Sequence, residues 1–148
     1  MKIIENFLVF LVLMQFYIVL VYATIHARVI NELGEGRCII VHCQSKDDDL
    51  GYINLDNGSE FQWSFNINFW GTTLFFCDLQ WKDSFAIHFN AFDANKDYNK
   101  CVTECKWLIN SNEILFRYSQ EVEKWEPSPF SVVPSMREEK NTTHGHVK

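Results

Sequence analysis

The chain has 148 residues and a formal net charge of −6 at pH 7, and 16% of its residues are aromatic. This length is that of one domain, and the aromatic content supplies large side chains for its core. The acidic balance argues against nucleic acid, which needs a basic surface, and against an anionic membrane surface as partners.

Residues 1–23 have the pattern of a secretory signal peptide. Lys2 precedes an apolar run from Phe7 to Val21, and Ala23 follows as a small residue at a cleavage position. The run is shorter than the roughly 20 residues that a membrane-spanning helix needs. We therefore predict a secreted protein whose mature chain begins at Thr24 and has no membrane anchor.

Apolar and polar residues alternate along most of the mature chain. Since side chains on a strand alternate between its faces, this pattern predicts half-buried strands. The inward residues in chain order are Ile39, Val41 and Cys43; Phe61, Trp63 and Phe65; Phe75, Cys77, Leu79 and Trp81; Phe85, Ile87, Phe89 and Ala91; Cys105, Trp107 and Ile109; and Ile114, Phe116 and Tyr118. His42 and His88 fall on the outward phase, so we expect them to be exposed.

Turn sequences separate these segments at a spacing of about 8 to 12 residues. The segment Asp56–Ser59 predicts a hairpin turn because Asn57 and Gly58 tolerate positive φ. Asn110-Ser111-Asn112 is a second short turn. About eight strands in this arrangement predict an all-β fold, an antiparallel sandwich or barrel.

The alternation ends after Trp125. Residues 126–148 contain Pro127, Pro129 and Pro134 and few apolar side chains. Such a segment buries too little surface to offset its ordering entropy. We therefore predict one domain over residues 24–125, followed by a flexible C-terminal tail.

All five cysteines follow the signal segment, and in an oxidising compartment they predict disulfides. Cys43, Cys77 and Cys105 lie on the inward phase, and Cys101 precedes the last of them. We favour the pairs Cys43–Cys105 and Cys77–Cys101, although connectivity does not follow from sequence. Cys38 is left over, either as a free thiol of a monomer or as an intermolecular bridge.

Two sequons begin at Asn57 and Asn141 and predict N-linked glycans on a secreted protein.

Two acidic segments and one aromatic segment lie between the predicted strands. The side chains of Lys46, Asp47, Asp48 and Asp49 form either a solvated turn, a recognition epitope or a cation contact. Asp93, Asn95 and Asp97 match positions 1, 3 and 5 of a calcium loop, and Glu104 matches position 12. Because Tyr98 stands where that loop needs glycine, we predict an acidic connection without metal or cofactor. The segment Phe69–Thr73 is expected to pack into the core.

No residue combination indicates an enzyme. The chain has no serine in a nucleophile elbow, no convincing cysteine–histidine pair, and nothing that selects a pair of carboxylates. We therefore predict a protein that is not an enzyme.

The stretch from His26 to Phe116 resembles the plant self-incompatibility protein family, also called S-protein homologues. The matching pieces, in the family's order, are Val29–Leu33, Val41–Gly51, Phe69–Cys77, Trp81, Phe92-Asp93, Cys101, Cys105 and Trp107. The resemblance implies a secreted β-sandwich with two disulfides formed by Cys43, Cys77, Cys101 and Cys105. Family members with a known role are ligands from female floral tissue that pollen recognises, and recognition ends in rejection of self pollen.

These observations together predict a secreted signalling ligand with a cell-surface receptor protein as its partner. We expect the contact surface on the exposed loops Lys46–Asp49, Asp56–Ser59 and Asp93–Lys100, since loops vary while strands set the frame. The alternative is a secreted structural or defence protein that binds glycan or cell wall. Tyr52, Tyr98 and Trp125 would then form its stacking platform.

Overall fold

The computed structural model describes residues 1–22, 24–83 and 85–136, with the backbone alone for residues 18–22. Its elements are α1 (Lys2–Tyr22), β1 (Thr24–Glu32), β2 (Ile39–Gln44), β3 (Asp49–Leu55), β4 (Glu60–Asn66), β5 (Leu74–Lys82), β6 (Phe85–Asp93), β7 (Glu104–Asn110), β8 (Leu115–Ser119), β9 (Lys124–Pro127) and β10 (Ser131–Pro134). The helix α1 covers the predicted signal segment. Within the described part of the chain, no helix is long and apolar enough to cross a membrane.

The strands form two five-stranded sheets, so the prediction of a small all-β sandwich is confirmed. Sheet A has the strand order β4-β1-β7-β8-β9, and sheet B has the order β10-β6-β5-β2-β3. Ten strands are present in the described residues where the sequence predicted about eight. One neighbouring pair is parallel, because β1 lies beside β7 with Ala27 opposite Cys105. A parallel pair needs a long crossover, which the chain supplies by building most of sheet B in between.

The core lies between the sheets and is built by the predicted alternation. Val41, Leu79 and Ile87 of sheet B and Trp107 and Ile109 of sheet A are almost fully buried. The indole N–H of Trp107 donates a hydrogen bond to the carbonyl oxygen of Ala91 at 3.0 Å. This bond satisfies a buried donor and joins the two sheets directly.

The predicted phase of β8 is wrong at its start. Ile114 is 42% exposed, whereas its neighbour Leu115 is fully buried. The side-chain oxygen of Asn110 accepts hydrogen bonds from the backbone N–H groups of Asn112 and Ile114. These bonds extend the turn through Ile114, so the strand begins one residue later and the inward phase shifts.

The disulfide pairing that we favoured from the sequence is also wrong. The structure joins Cys43 to Cys77 and Cys101 to Cys105. Cys43 and Cys77 lie opposite each other on the paired strands β2 and β5, with their Cα atoms 4.1 Å apart. Cys105 lies on β7 of the other sheet and closes a local loop instead.

The prediction of a flexible tail from residue 126 is wrong for its first part. The strand β9 pairs with β8, and β10 pairs with β6 at the edge of sheet B. Beyond β10, the side-chain amide of Gln80 donates to the Ser135 hydroxyl at 2.8 Å and accepts from the Met136 N–H at 2.9 Å. Backbone pairing and this buried amide order a segment that has little apolar surface of its own. Residues 137–148, with Asn141, lie outside the described residues.

Candidate recognition surface

The β2–β3 loop, residues 45–48, is a short turn that presents charged side chains to solvent. The Ser45 hydroxyl accepts hydrogen bonds from the backbone N–H groups of Asp47 and Asp48, and the Ser45 N–H donates to the Asp48 carbonyl at 2.7 Å. Lys46, Asp47 and Asp48 are exposed, and none of the ion pairs between described residues involves them. The turn therefore has a fixed backbone and two carboxylates that a partner can reach.

Asp49 follows this loop and is held by the strand it begins. Its Oδ1 accepts a hydrogen bond from the Gly51 N–H at 2.9 Å and lies 2.8 Å from His42 Nε2. The hydrogen bond from Gly51, followed by the one from His42, lowers the pKa of the Asp49 carboxyl. The Asp49 side chain is thus fixed in position although it is largely exposed.

Our expectation of an exposed His42 is wrong. The residue is only 8% exposed, because the Tyr52 ring stacks on the imidazole with centroids 4.2 Å apart. The side chain of His88 is half-buried, with Nδ1 2.8 Å from Asp78 Oδ1. Both histidines lie on the outward phase, and neighbouring side chains cover them there.

The β6–β7 loop, residues 94–103, contains one carboxylate, that of Asp97, and this carboxylate is buried. Asp97 is 5% exposed and accepts hydrogen bonds from Arg117 Nη1 at 2.7 Å and from the Asp93 N–H at 2.8 Å. The Arg117 guanidinium also lies over the Trp107 ring, 5.5 Å from its centroid. Asp97 therefore supports the fold, and our expectation that its side chain is exposed for recognition is wrong.

The remaining predicted residues of this segment are more accessible. The half-buried Asp93 side chain accepts a hydrogen bond from the Asn95 N–H at 3.0 Å and lies 3.5 Å from Lys96 Nζ. Asn95 and Tyr98 are exposed. Glu104, the last calcium-loop position, is paired with Lys106, which lowers the pKa of the Glu104 carboxyl. Among the described residues, no group of three or more His, Cys, Asp or Glu side chains could hold a metal ion.

The turn at Asp56–Ser59 is not a hairpin, because it connects β3 of sheet B to β4 of sheet A. Gly58 has φ of +80°, as its sequence predicts, and its N–H donates to the Asn31 carbonyl at 2.7 Å. The exposed Asn57 accepts a hydrogen bond from the Gly34 N–H through Oδ1. Since a glycan is joined through Nδ2, the predicted modification is compatible with this turn.

The β4–β5 loop, residues 67–73, contains the aromatic pair that we expected in the core, and that expectation is wrong. Phe69 is 92% exposed and Trp70 is 80% exposed, and the two rings meet edge to face at 5.2 Å. The Asn68 side chain bonds both the N–H and the hydroxyl of Thr72. These hydrogen bonds close the turn, and both aromatic side chains project from it into solvent. Asn68 and Gly71, both typical turn residues, were the sequence signal for it.

The β2–β3 and β4–β5 loops border one cleft of about 780 Å³. One wall contains Lys46, Asp47 and Asp48, and the other contains Trp70. Phe65 and Phe75, which pack against each other at 4.5 Å, form part of the apolar lining. Charged and aromatic groups that are far apart in the sequence therefore share one surface.

Cys38 is an exposed free thiol at the start of β2. Its sulfur donates a hydrogen bond to Asp56 Oδ1 at 3.2 Å, and this bond raises the pKa of the thiol. A raised pKa lowers the thiolate fraction and hence the reactivity expected of an intermolecular bridge.

The three aromatic residues that we predicted as a glycan platform are distributed over the fold. Tyr52 lies on β3 of sheet B, Trp125 on β9 of sheet A, and Tyr98 in the β6–β7 loop. The Tyr52 ring stacks on the His42 ring, and the Trp125 ring packs against the Tyr118 ring with centroids 5.5 Å apart.

Comparison with known proteins agrees with the sequence motifs. The sequence profile of the plant self-incompatibility protein S1 family matches residues 26–128. Self-incompatibility protein S1 of Papaver rhoeas is 35% identical over 106 residues, which cover 71% of this chain and 76% of that protein. S-protein homolog 2 of Arabidopsis thaliana is 41% identical over 86 residues, 55% of this chain and 53% of that protein.

A solved structure of SPH (self-incompatibility protein homologue) proteins has the same fold. It superposes with a TM-score of 0.57 at 18% identity, over 76% of this chain and 95% of that one. Those proteins are described as a widespread family of small, highly stable, secreted plant proteins.

Proposed function

Because the chain belongs to the plant self-incompatibility protein S1 family, we propose that it is a secreted ligand that a cell-surface receptor protein recognises. Residues 1–23 act as its signal peptide, and the mature protein is a single sandwich domain. Secretion is supported by that N-terminal pattern, by the two disulfides, and by the description of the related SPH proteins as secreted.

The observation that carries the proposal is the β2–β3 loop. Asp47 and Asp48 are exposed on a turn whose backbone is fixed by Ser45 and which directly follows the disulfide-bonded Cys43. A rigid scaffold that holds free charges on a loop is the usual arrangement for recognition of a protein partner. The role is therefore binding rather than catalysis.

Binding to living cells tests this function. The protein secreted from plant cells is labelled and added to protoplasts, which lack a wall, and separately to isolated wall material. We expect saturable binding to protoplasts of a responsive tissue and weaker binding by the double variant Asp47→Asn/Asp48→Asn. Glu121→Gln/Glu123→Gln is the matched control, because it also removes two exposed carboxylates and lies between β8 and β9, outside the predicted contact loops.

Two results would contradict the proposal. Linear, non-saturable binding to protoplasts from every tissue would contradict recognition by a specific receptor. Strong binding to wall polysaccharide alone would favour the alternative role of a secreted structural or defence protein.

A further inference from the structure

We propose that the cleft between the β2–β3 and β4–β5 loops binds a segment of a protein partner that carries arginine or lysine side chains. The juxtaposition of the exposed Trp70 ring with the free carboxylates of Asp47 and Asp48 supports this choice. The assignment of that partner as the receptor rests on the proposed function, whereas the binding chemistry does not.

The aromatic wall of the cleft is unusually exposed for such large side chains. Trp70 of the cleft is 80% exposed, and Phe69, which contacts it edge to face outside the cleft lining, is 92% exposed. Exposed large apolar groups that lie together on a surface mark interaction sites. Tryptophan is also among the residues that contribute most to binding energy at protein interfaces.

The β4–β5 loop is organised before any partner arrives. Asn68 accepts from the Thr72 N–H at 2.8 Å, donates to the Thr72 hydroxyl at 2.9 Å, and donates its own N–H to the Thr73 hydroxyl at 2.8 Å. Gly71 adopts φ of +64°, which closes the turn. A tip that is already ordered loses little conformational entropy on binding, so its contacts contribute more fully to affinity.

The opposite wall carries the two negative charges of Asp47 and Asp48 against the one positive charge of Lys46, so its net charge favours a cationic occupant. Asp47 and Asp48 have no ion-pair partner within the described residues, so their charge is available to a bound cation. A guanidinium or ammonium group can stack on an indole face while it pairs with a nearby carboxylate. This combination of ring and carboxylates is complementary to a basic side chain.

The same charges disfavour two other occupants. A chain with net charge −6 and two aspartates beside its aromatic tip is repelled by anionic lipid headgroups. A neutral glycan would use the Trp70 ring but would gain nothing from the two negative charges. The cleft is open to solvent, and its volume of about 780 Å³ is large enough to receive a side chain of a partner.

Peptide binding to the complete secreted protein tests the inference. The probe is a library of fluorescent decapeptides with a central arginine or lysine, paired with the same library carrying citrulline or acetyl-lysine. We expect the basic library to bind at least about 10-fold more tightly than its neutral copy, with an affinity that falls as salt is added.

Three variants locate the site. Trp70→Ala should weaken binding about 10-fold or more, and Asp47→Asn/Asp48→Asn should weaken it several-fold and reduce its salt dependence. Phe130→Ala, which removes an exposed ring from the connection between β9 and β10, outside the cleft and the predicted contact loops, should leave binding unchanged. Since all the altered side chains are exposed, circular dichroism and the unfolding midpoint should match the unaltered protein.

The inference is overturned if the basic and neutral libraries bind equally, including the case in which neither binds. It is also overturned if Phe130→Ala weakens binding as much as Trp70→Ala does. Binding only to neutral wall oligosaccharides, or only to phosphatidylcholine vesicles, would also contradict the inference. The occupant of the cleft would then be a glycan or a membrane surface and not a protein.

Failure of this inference and failure of the proposed function give different results. If Trp70→Ala leaves saturable protoplast binding unchanged, the receptor proposal is retained and the cleft is not the binding site. If basic peptides bind selectively but protoplast binding is not saturable, the cleft proposal is retained and the receptor proposal is contradicted.

Discussion

The β2–β3 loop and the β6–β7 loop both contain aspartate, and the fold treats these carboxylates in opposite ways. Each loop also lies beside one disulfide, Cys43–Cys77 for the first and Cys101–Cys105 for the second. The carboxylates of Asp47 and Asp48 are exposed, whereas Asp97 is buried against Arg117. Of the two loops, only the first offers free carboxylates to a partner.

The difference arises from one residue that is distant in sequence. The Arg117 guanidinium, on β8, lies over the Trp107 ring, and its Nη1 pairs with Asp97 Oδ1 at 2.7 Å. No basic side chain among the described residues reaches Asp47 or Asp48 in the same way. A loop aspartate is therefore either available for recognition or part of the fold's own ion pairs, according to whether the fold supplies a cation for it.

The largest expected effect concerns the two disulfides, which anchor the two loops unequally. Cys43–Cys77 spans 34 residues of sequence and Cys101–Cys105 spans four. In the chain-entropy account a longer closed loop restricts the unfolded chain more. We expect Cys43→Ala/Cys77→Ala to lower the free energy of unfolding by about 4 kcal/mol and Cys101→Ala/Cys105→Ala by about 2 kcal/mol.

Urea denaturation of the two double variants measures both values. Equal losses would indicate that native-state contacts, rather than the closed loop, determine the effect. Non-reducing peptide mapping provides the control, because each double variant should retain the other bridge intact. Recovery of a Cys43–Cys105 peptide from the unaltered protein would contradict the pairing itself.

The same substitution in each loop gives the next effect. In Asp97→Asn one of the two carboxylate oxygens becomes an NH2 group, so a donor replaces the acceptor that now faces either Arg117 Nη1 or the Asp93 N–H. We expect a loss of roughly 2 to 3 kcal/mol in the free energy of unfolding, since a buried, charged hydrogen-bond network is broken.

Asp48→Asn is the matched control for that substitution. The exposed side chain has nothing to lose, so its unfolding free energy should change by less than about 0.5 kcal/mol. If the two variants lost similar stability, the distinction between a bracing loop and a recognition loop would not hold.

The sandwich itself could be predicted because its signals are local. The inward phases of β2, β5 and β7 follow from alternation, and residues such as Val41, Leu79 and Ile109 are buried accordingly. Where backbone pairing replaces side-chain burial, alternation carries no signal. The edge strand β10 was missed for this reason, together with the buried Gln80 that fixes Ser135 and Met136.

The candidate site could be predicted only in part. Lys46–Asp48 was found from its charge, because like charges that lie together in sequence stay in water. The burial of Asp97 depends on Arg117, and the exposure of Trp70 depends on bonds between Asn68 and Thr72. Both are contacts that residue type alone does not reveal.

The smallest expected effect lies at the boundary of the recognition loop, where Asp49 is fixed although its neighbours are free. Its pKa in the folded protein is below the ordinary value of 3.8, first through the Gly51 hydrogen bond and then through His42. The folded state therefore binds fewer protons than the unfolded state as the pH falls through this range. The stabilising contribution is complete above pH 3.8 and is lost as the pH falls below it.

Unfolding midpoints measured between neutral pH and the acid limit test this point. The unaltered protein should lose stability more steeply below pH 3.8 than Asp49→Asn does, whereas Asp48→Asn should follow the unaltered curve. If Asp48→Asn instead reduced the loss of stability below pH 3.8, the hydrogen-bonded carboxylate would be that of Asp48 and not that of Asp49. The free charge that a cationic partner requires would then be reduced to that of Asp47.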